Sequence, residues 1–161
     1  MDDEPFEDPR LTAVGLFIEA YGGLIAELSA VHAAHGLAGT DFDTLLRLAR
    51  SPERRLRMSD LAAQTALSTS GITRIVDRLE RQKLVRREPS TVDRRGCSAV
   101  LTEDGYERLA ADLPALLDTI QHRLVDPLTP DQLNGLTDAL RTLRDAVRPA
   151  AAARAPEQAS A

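Results

Sequence analysis

The segment from Ser59 to Thr102 constrains this chain more than any other, because two helical runs and two strand-like runs follow one another there with little room between them. Ser59-Asp60-Leu61-Ala62-Ala63 opens a short helix that lasts to Ala66, with Ser59 as its cap and Leu61 and Ala62 turned inward. Leu67-Ser68 breaks it, and Ser68 or Thr69 caps the next helix. Wound at the helical period, the run from Gly71 to Leu79 collects Ile72, Ile75, Val76 and Leu79 on one side. Ser70, Arg74, Asp77 and Arg81 fall on the other, with Thr73 and Arg78 on the flanks. Leu84-Val85-Arg86-Arg87-Glu88 and Cys97-Ser98-Ala99-Val100-Leu101 then read as strands joined by the turn-rich loop from Pro89 to Gly96. Leu56-Arg57-Met58 is too short to stand alone and is expected to pair as a third strand.

Two short helices around a tight turn, followed by an arginine-tipped ribbon, predict a winged helix-turn-helix. The flanking sequence predicts more helices, so the expected class is mostly α with a small β-wing (α+β). From about Leu11 to His35, Val14, Phe17, Ile18, Tyr21, Leu24, Ile25, Leu28 and Val31 keep the three-four spacing of an amphipathic helix that Gly36 and Gly39 end. Gly22-Gly23 in its middle costs about 1 kcal/mol per glycine relative to alanine, which implies that a backbone or a ligand approaches closely there. Thr40 is expected to cap a second helix, with Asp41 and Asp43 in its first turn, Phe42, Leu45, Leu46, Leu48 and Ala49 as its apolar stripe, and Pro52 as its stop. Thr102 caps a later helix that turns Tyr106, Leu109, Leu113, Leu116, Ile120 and Leu124 inward and bends at Pro114.

The last helix carries the clearest start signal, Thr129-Pro130-Asp131-Gln132, with a threonine cap, proline in the first turn and glutamine at the capping-box position. Leu133, Leu136, Leu140, Leu143 and Val147 follow at spacings of 3, 4, 3 and 4. This narrow seam suits a coiled-coil-like contact, either within one chain or as the interface of a homodimer.

Charge is distributed unevenly. The chain has a formal charge of −5, yet Arg54 to Arg95 holds 11 Lys and Arg against 5 Asp and Glu. A basic face on an acidic body suits an anionic polymer. Aromatic residues make up only 3%, so the core must be built from Leu, Val, Ile and Ala, which favours packed helices. The single cysteine, Cys97, leaves no internal disulfide to form. No run of consecutive apolar residues approaches bilayer length, and Met1-Asp2-Asp3-Glu4 is acidic where a signal peptide is basic. A cytoplasmic protein with no membrane partner is therefore expected.

Short hydroxyls near the start of a helix and guanidiniums further along suit insertion into the major groove of double-stranded DNA. Ser70, Thr73 and Arg74 are candidates for base edges, Ser68, Thr69 and the free amides for a phosphate, and Arg78 for a further DNA contact. Asp77 is expected to orient Arg74 or Arg81 by pairing with one of them. Arg94 and Arg95 at the hairpin tip suit phosphates or the narrow minor groove. The expected organisation is an acidic arm over residues 1–9, one winged-helix domain over 10–148 and a disordered tail over 149–161. The DNA-binding lobe falls at about 54–101, and dimerisation helices at about 10–35 and 103–148. No Ser-His-Asp set, phosphate loop or metal-ligand spacing is present, and His32, His35 and His122 have no acidic or cysteine cluster to match, so no enzyme, metal or cofactor is expected.

Ser70-Gly71-Ile72-Thr73-Arg74-Ile75-Val76-Asp77-Arg78-Leu79-Glu80, then Asp93-Arg94-Arg95 and Val100-Leu101-Thr102-Glu103-Asp104-Gly105, resemble the MarR family of bacterial transcription regulators, and the resemblance extends over roughly Leu11 to Val147. It implies a two-fold dimer with interlocked N- and C-terminal helices, a minor-groove role for Arg95, an orienting role for Asp93 and a phosphate contact for Arg94. It further implies a repressor bound to a pseudo-palindromic operator and an unidentified small-molecule effector held between the first helices, the fifth helix and the DNA-binding lobe. Small aromatic or phenolic anions, metals and oxidants switch such proteins, and Cys97 does not match the N-terminal cysteine of the peroxide-sensing relatives. This chain departs from the pattern at Lys83, where the family has a glycine suited to a left-handed helix cap. The competing expectation is a winged-helix protein-interaction module, in which Arg74, Arg94 and Arg95 would pair with acids of the body.

Overall fold

The inner side expected for the second helix of the pair is buried in full: Ile72, Val76 and Leu79 are completely inaccessible and Ile75 nearly so. The structure is a computed structural model that describes residues 6–89 and 96–148. Its elements run α1 (Pro9–Ala34), α2 (Gly39–Ala49), a 3-10 turn (Pro52–Arg54), β1 (Arg55–Arg57), α3 (Met58–Thr65), α4 (Thr69–Arg81), β2 (Val85–Pro89), β3 (Cys97–Leu101), α5 (Glu103–Ile120), a π-helical turn (Gln121–Val125) and α6 (Pro130–Val147). Leu45, Leu48, Leu61, Val85 and Ala99 join the α4 residues in one core built from both sides of the helix-turn-helix.

The three strands form an antiparallel sheet in the order β1-β3-β2, with Arg55 opposite Val100, Val85 opposite Leu101 and Pro89 opposite Cys97. The expected third strand is present, displaced by one residue because Met58 already begins α3. Ala66, at φ +59, ends α3 in the left-handed conformation and makes the turn to α4.

Local capping signals hold where no tertiary contact competes. Ser68 accepts a hydrogen bond from the Gly71 amide, Thr102 one from the Gly105 amide, and Thr129 forms a reciprocal capping box with Gln132. Ser59 and Thr40 do not cap. Arg57 occupies the cap position of α3, and Ser59 lies inside the helix. The α2 cap is Ala38, because the buried Leu37 closes α1 with its amide on the His32 carbonyl and the next helix starts at once. Helix α1 likewise begins earlier than expected, at Pro9, with Asp8 accepting from the Arg10 amide.

Lys83 takes a left-handed conformation of the kind glycine favours. At φ +62 it closes α4, its amide donating to the Glu80 carbonyl at 2.9 Å while Leu84 donates to Leu79 at 2.9 Å. The Lys83 carbonyl accepts from the Thr102 hydroxyl at 2.7 Å, tying the end of α4 to the start of α5. Gly105 permits that junction: a Cβ there would lie 2.1 Å from the Leu84 carbonyl oxygen. The same close approach turns Tyr106 outward, against expectation. It is 40% exposed, with the Arg54 guanidinium 3.9 Å from its ring centroid.

Helices α1 and α6 are largely unpacked within the chain. Leu136, Leu140, Leu143 and Val147 of the seam are exposed, and α6 has no fully buried residue. The seam therefore does not close inside one chain. Phe17, Ile18 and Tyr21 of α1 are also exposed, and nothing lies within 4 Å of a Cβ placed on Gly22 or Gly23. Helix α1, at 26 residues with a mean hydropathy of 1.5 over its most apolar window, is by length and composition long and apolar enough to cross a membrane. Ala and Gly between the large side chains keep the average over that window high. Arg148 at the far end of α6 donates to the Ala63 carbonyl of α3 at 2.6 Å, joining the outer helices to the helix-turn-helix.

Candidate nucleic-acid interface

The amino-terminal turns of α4 form an exposed polar face. Ser68, Thr69, Ser70 and Arg74 are exposed and Thr73 is half-buried. The Ser68 hydroxyl lies 3.0 Å from that of Ser70 and caps the Gly71 amide, while Thr73 spends its hydroxyl proton on the Thr69 carbonyl at 2.7 Å. Arg74 has no ion-pair or hydrogen-bond partner among the described residues. A helix amino-terminus with free hydroxyl lone pairs and one uncommitted guanidinium can receive an anion and still donate to an acceptor beyond it.

The neighbouring cations are committed to the fold. Arg78, expected to face DNA, instead grips Asp41 of α2 with two bonds, one of them Nε to Oδ2 at 2.9 Å. Asp41 is 3% exposed, and a carboxylate so deeply buried requires a charged partner. That bond holds the Arg78 guanidinium above its ordinary pKa, so it remains charged.

Asp77 pairs with neither Arg74 nor Arg81. Its carboxylate lies 2.7 Å from Arg87 of β2, whose guanidinium also meets Glu80 at 2.8 Å and donates to the Thr73 carbonyl at 3.3 Å. Arg81 reaches only the Asp77 backbone carbonyl, at 3.2 Å. Arg87 thus clasps the wing to α4, a role that sequence reasoning missed. A signal existed: strand alternation puts Arg87 on the same face as the buried Val85, towards α4. Arg86 points the other way and bonds Glu88 at 2.7 Å, and Glu88 reaches across the sheet to Arg55 at 2.8 Å. These contacts, Arg86 first, hold the Glu88 carboxyl below its ordinary pKa.

Asp93, Arg94 and Arg95 lie outside the described residues. Cys97 is half-buried, its sulfur 3.8 Å from the Ser98 carbonyl oxygen. The histidines do not gather: His32 packs on the Phe42 ring at 4.4 Å, His35 lies 4.0 Å from Asp112, and His122 is exposed beside Asp118. No group of three or more potential metal ligands occurs among the described residues.

Two apolar hollows flank α1. A cleft of about 620 Å³ lies between α1, α2, the turn from α3 to α4, and α5, lined by Tyr21, Ile25, His32, Phe42, Leu67 and Leu116 among others. A groove of about 630 Å³ lies between α1 and α6, lined by Phe17, Gly23, Leu24, Leu136 and Leu140.

Known proteins share both sequence and architecture with this chain. A family model described as the MarR family matches residues 35–96. The transcriptional repressor MprA of Escherichia coli (strain K12) is 29% identical over 147 residues, which is 89% of this chain and 82% of that protein. AbsC, a MarR family transcriptional regulator from Streptomyces coelicolor, is 34% identical with a TM-score of 0.82 over 88% of this chain and 96% of its own. Sco3205, a MarR family transcriptional regulator from the same organism solved in complex with DNA, is also 34% identical with a TM-score of 0.82, over 92% and 94% of the two chains. A winged helix-turn-helix between long outer helices, aligned over nearly the full length of such relatives, makes this chain a member of the MarR family of transcriptional regulators, which are DNA-binding regulators and not enzymes.

Proposed function

We propose that this chain is a cytoplasmic homodimeric repressor that binds a pseudo-palindromic site on double-stranded DNA and releases it when a small molecule occupies the cleft between α1, α2 and α5. The observation that carries the reading is the contrast along α4: Arg74 is exposed with no partner among the described residues, while Arg78 is consumed by Asp41. A protein-interaction module would have paired Arg74 with acids of the body. In this reading Ser70, Thr73 and Arg74 meet base edges, Ser68 and Thr69 hold a phosphate, and Asp77 acts through Arg87. Asp93, Arg94 and Arg95 would serve at the minor groove.

A second copy of the chain is the partner that suits the seam of half-buried Leu133 and exposed Leu136, Leu140, Leu143 and Val147 together with the open apolar side of α1. The relation of the cleft to Thr65 and Leu67, at the helix-turn-helix turn, supports the effector role, because an occupant there would bear on the placement of α4. Fluorescence anisotropy on the chain's own upstream DNA tests the reading. Wild type is expected to bind with a steep loss of affinity as salt rises, since each neutralised phosphate releases counterions. Arg74→Ala should cost about 1–3 kcal/mol at one base-pair position. Binding indifferent to both salt and Arg74 would overturn it.

A further inference from the structure

The cleft between α1, α2 and α5 is lined by hydroxyls and an imidazole and by no cation. Among its lining residues the one charged side chain is Asp43, which is paired with Arg47 at 3.1 Å. The Ser29 hydroxyl spends its proton on the Ile25 carbonyl at 2.7 Å, and Thr65 spends its own on the Leu61 carbonyl at 2.8 Å. Both hydroxyl oxygens are therefore left with only lone pairs to offer a ligand.

His32 is the anomaly in this wall. It is 8% exposed, its ring is held against Phe42, and its ring nitrogens have no hydrogen-bond partner among the described residues. Burial lowers its pKa, outweighing the opposing pull of Asp112, and His35 acts in the same direction as burial. Arg108 holds Asp112 at 3.3 Å, so that carboxylate is already engaged elsewhere. The imidazole is consequently neutral at physiological pH, with one ring nitrogen free to accept and the other to donate. These nitrogens are not among the buried atoms left without a partner, so they are open to the cleft and to a ligand that pairs with them.

We infer that the cleft selects uncharged, planar aromatic molecules carrying N–H or O–H donors, held between the His32 and Phe42 rings and the acceptor oxygens of Ser29 and Thr65, and that it discriminates against aromatic carboxylates. An aromatic carboxylate would lose its hydration without meeting a counter-charge, whereas a neutral molecule leaves no buried charge unpaired and its donors meet the Ser29 and Thr65 oxygens. Tyr21, His32 and Phe42 supply rings against which a flat molecule packs. A cleft of about 620 Å³ accommodates such molecules. The inference rests on the proposal that the cleft is the effector site, and it adds the chemical class of the occupant.

The test uses two isosteric pairs, benzamide against benzoate and 2-aminobenzamide against 2-aminobenzoate, titrated calorimetrically into the full chain at neutral pH. Each amide should bind at least ten-fold more tightly than its carboxylate. His32→Phe should weaken the amides at least ten-fold, and His32→Gln should retain part of the binding. Because a change at a buried histidine can unfold the chain, Ser29→Lys, on the exposed side of the lining, gives a second arm: it should raise benzoate affinity at least ten-fold. Equal or tighter binding of the carboxylates to wild type, no binding of either amide at millimolar concentration, or a benzoate affinity unmoved by Ser29→Lys would each overturn the inference. Release of DNA is read separately by anisotropy. Amide-selective binding without release would sink the effector role and leave the selectivity standing, and release with carboxylate preference would do the reverse.

Discussion

Arg87 on the wing strand lies 2.7 Å from the Asp77 carboxylate on α4 and, with Glu80 at 2.8 Å, holds the ribbon at a set angle to that helix. The clasp has a second strand of bonding, because the Arg87 amide also donates to Glu80 at 3.1 Å. Arg87→Ala should therefore uncouple the wing from α4 at modest cost in stability, about 1–2 kcal/mol for a partly buried network. DNA affinity should fall at least ten-fold, because both elements must engage the duplex together. Asp77→Asn keeps one acceptor and should produce a smaller loss. Urea titration and fluorescence anisotropy, run on the same preparations, separate the two effects. An affinity loss no larger than the stability loss predicts would remove the orienting role.

Asp41 and Arg78 form the corresponding tie between α2 and α4. Removing the guanidinium leaves a carboxylate that is 3% exposed without its partner. The loss for breaking a fully buried pair is about 3–5 kcal/mol. Arg78 itself is 41% exposed, so solvent screens part of the interaction. Arg78→Ala should accordingly destabilise by about 2 kcal/mol. Asp41→Ala with Arg78→Ala should recover part of that loss, giving a favourable coupling in a double-mutant cycle. Arg78→Lys should not rescue fully, since an ammonium cannot match both carboxylate oxygens in the same plane. Additive losses in the cycle would show that the pair is not coupled.

Lys83 stands at φ +62 in a position built for glycine. Lys83→Gly should stabilise the chain by up to about 1 kcal/mol, because the left-handed strain removed exceeds the extra entropy of a flexible residue in the unfolded state. The wing should keep its angle, since the Schellman bonds from Lys83 to Glu80 and Leu84 to Leu79 use backbone atoms alone. An unchanged urea midpoint would mean that the lysine stem compensates by packing.

What was legible in the sequence follows from how local each determinant is. Ile72, Ile75, Val76 and Leu79 declare one face because a single helix carries the whole pattern, and the caps Ser68, Thr102 and Thr129 bond within three residues of themselves. The partners of Arg78 and Asp77, which are Asp41 and Arg87, belong to other elements and are not visible along α4. Nothing local to α4 distinguishes a guanidinium aimed at DNA from one that neutralises a buried carboxylate. Ser59 and Thr40 carry acceptable cap chemistry but lie inside helices that start earlier, under tertiary contacts that outweigh a bond of about 1 kcal/mol. His32 was invisible as a site residue because its meaning lies in lacking a partner, a property only the assembled cleft displays.

The outer helices make the last prediction. Gly23 lines the groove between α1 and α6 together with Phe17, Leu136 and Leu140, and a Cβ on it meets nothing within 4 Å in one chain. In an isolated chain Gly23→Ala should stabilise α1 by about 1 kcal/mol, the ordinary helix-propensity gain. If the backbone of a second copy packs there, the same change must cost association, and Gly23→Leu more so. Light scattering should therefore give a dimer for wild type, partial dissociation for Gly23→Leu and a monomer for Leu140→Glu with Leu143→Glu. The circular dichroism of that double variant should stay helical, because neither leucine belongs to the buried core. Its DNA affinity should fall steeply, since two recognition helices a helical turn of DNA apart, about 10 base pairs, need a rigid link between them. A wild-type monomer at micromolar concentration, or a Gly23→Leu variant that dimerises as tightly as wild type, would show that the apolar side of α1 is covered by something other than a second copy.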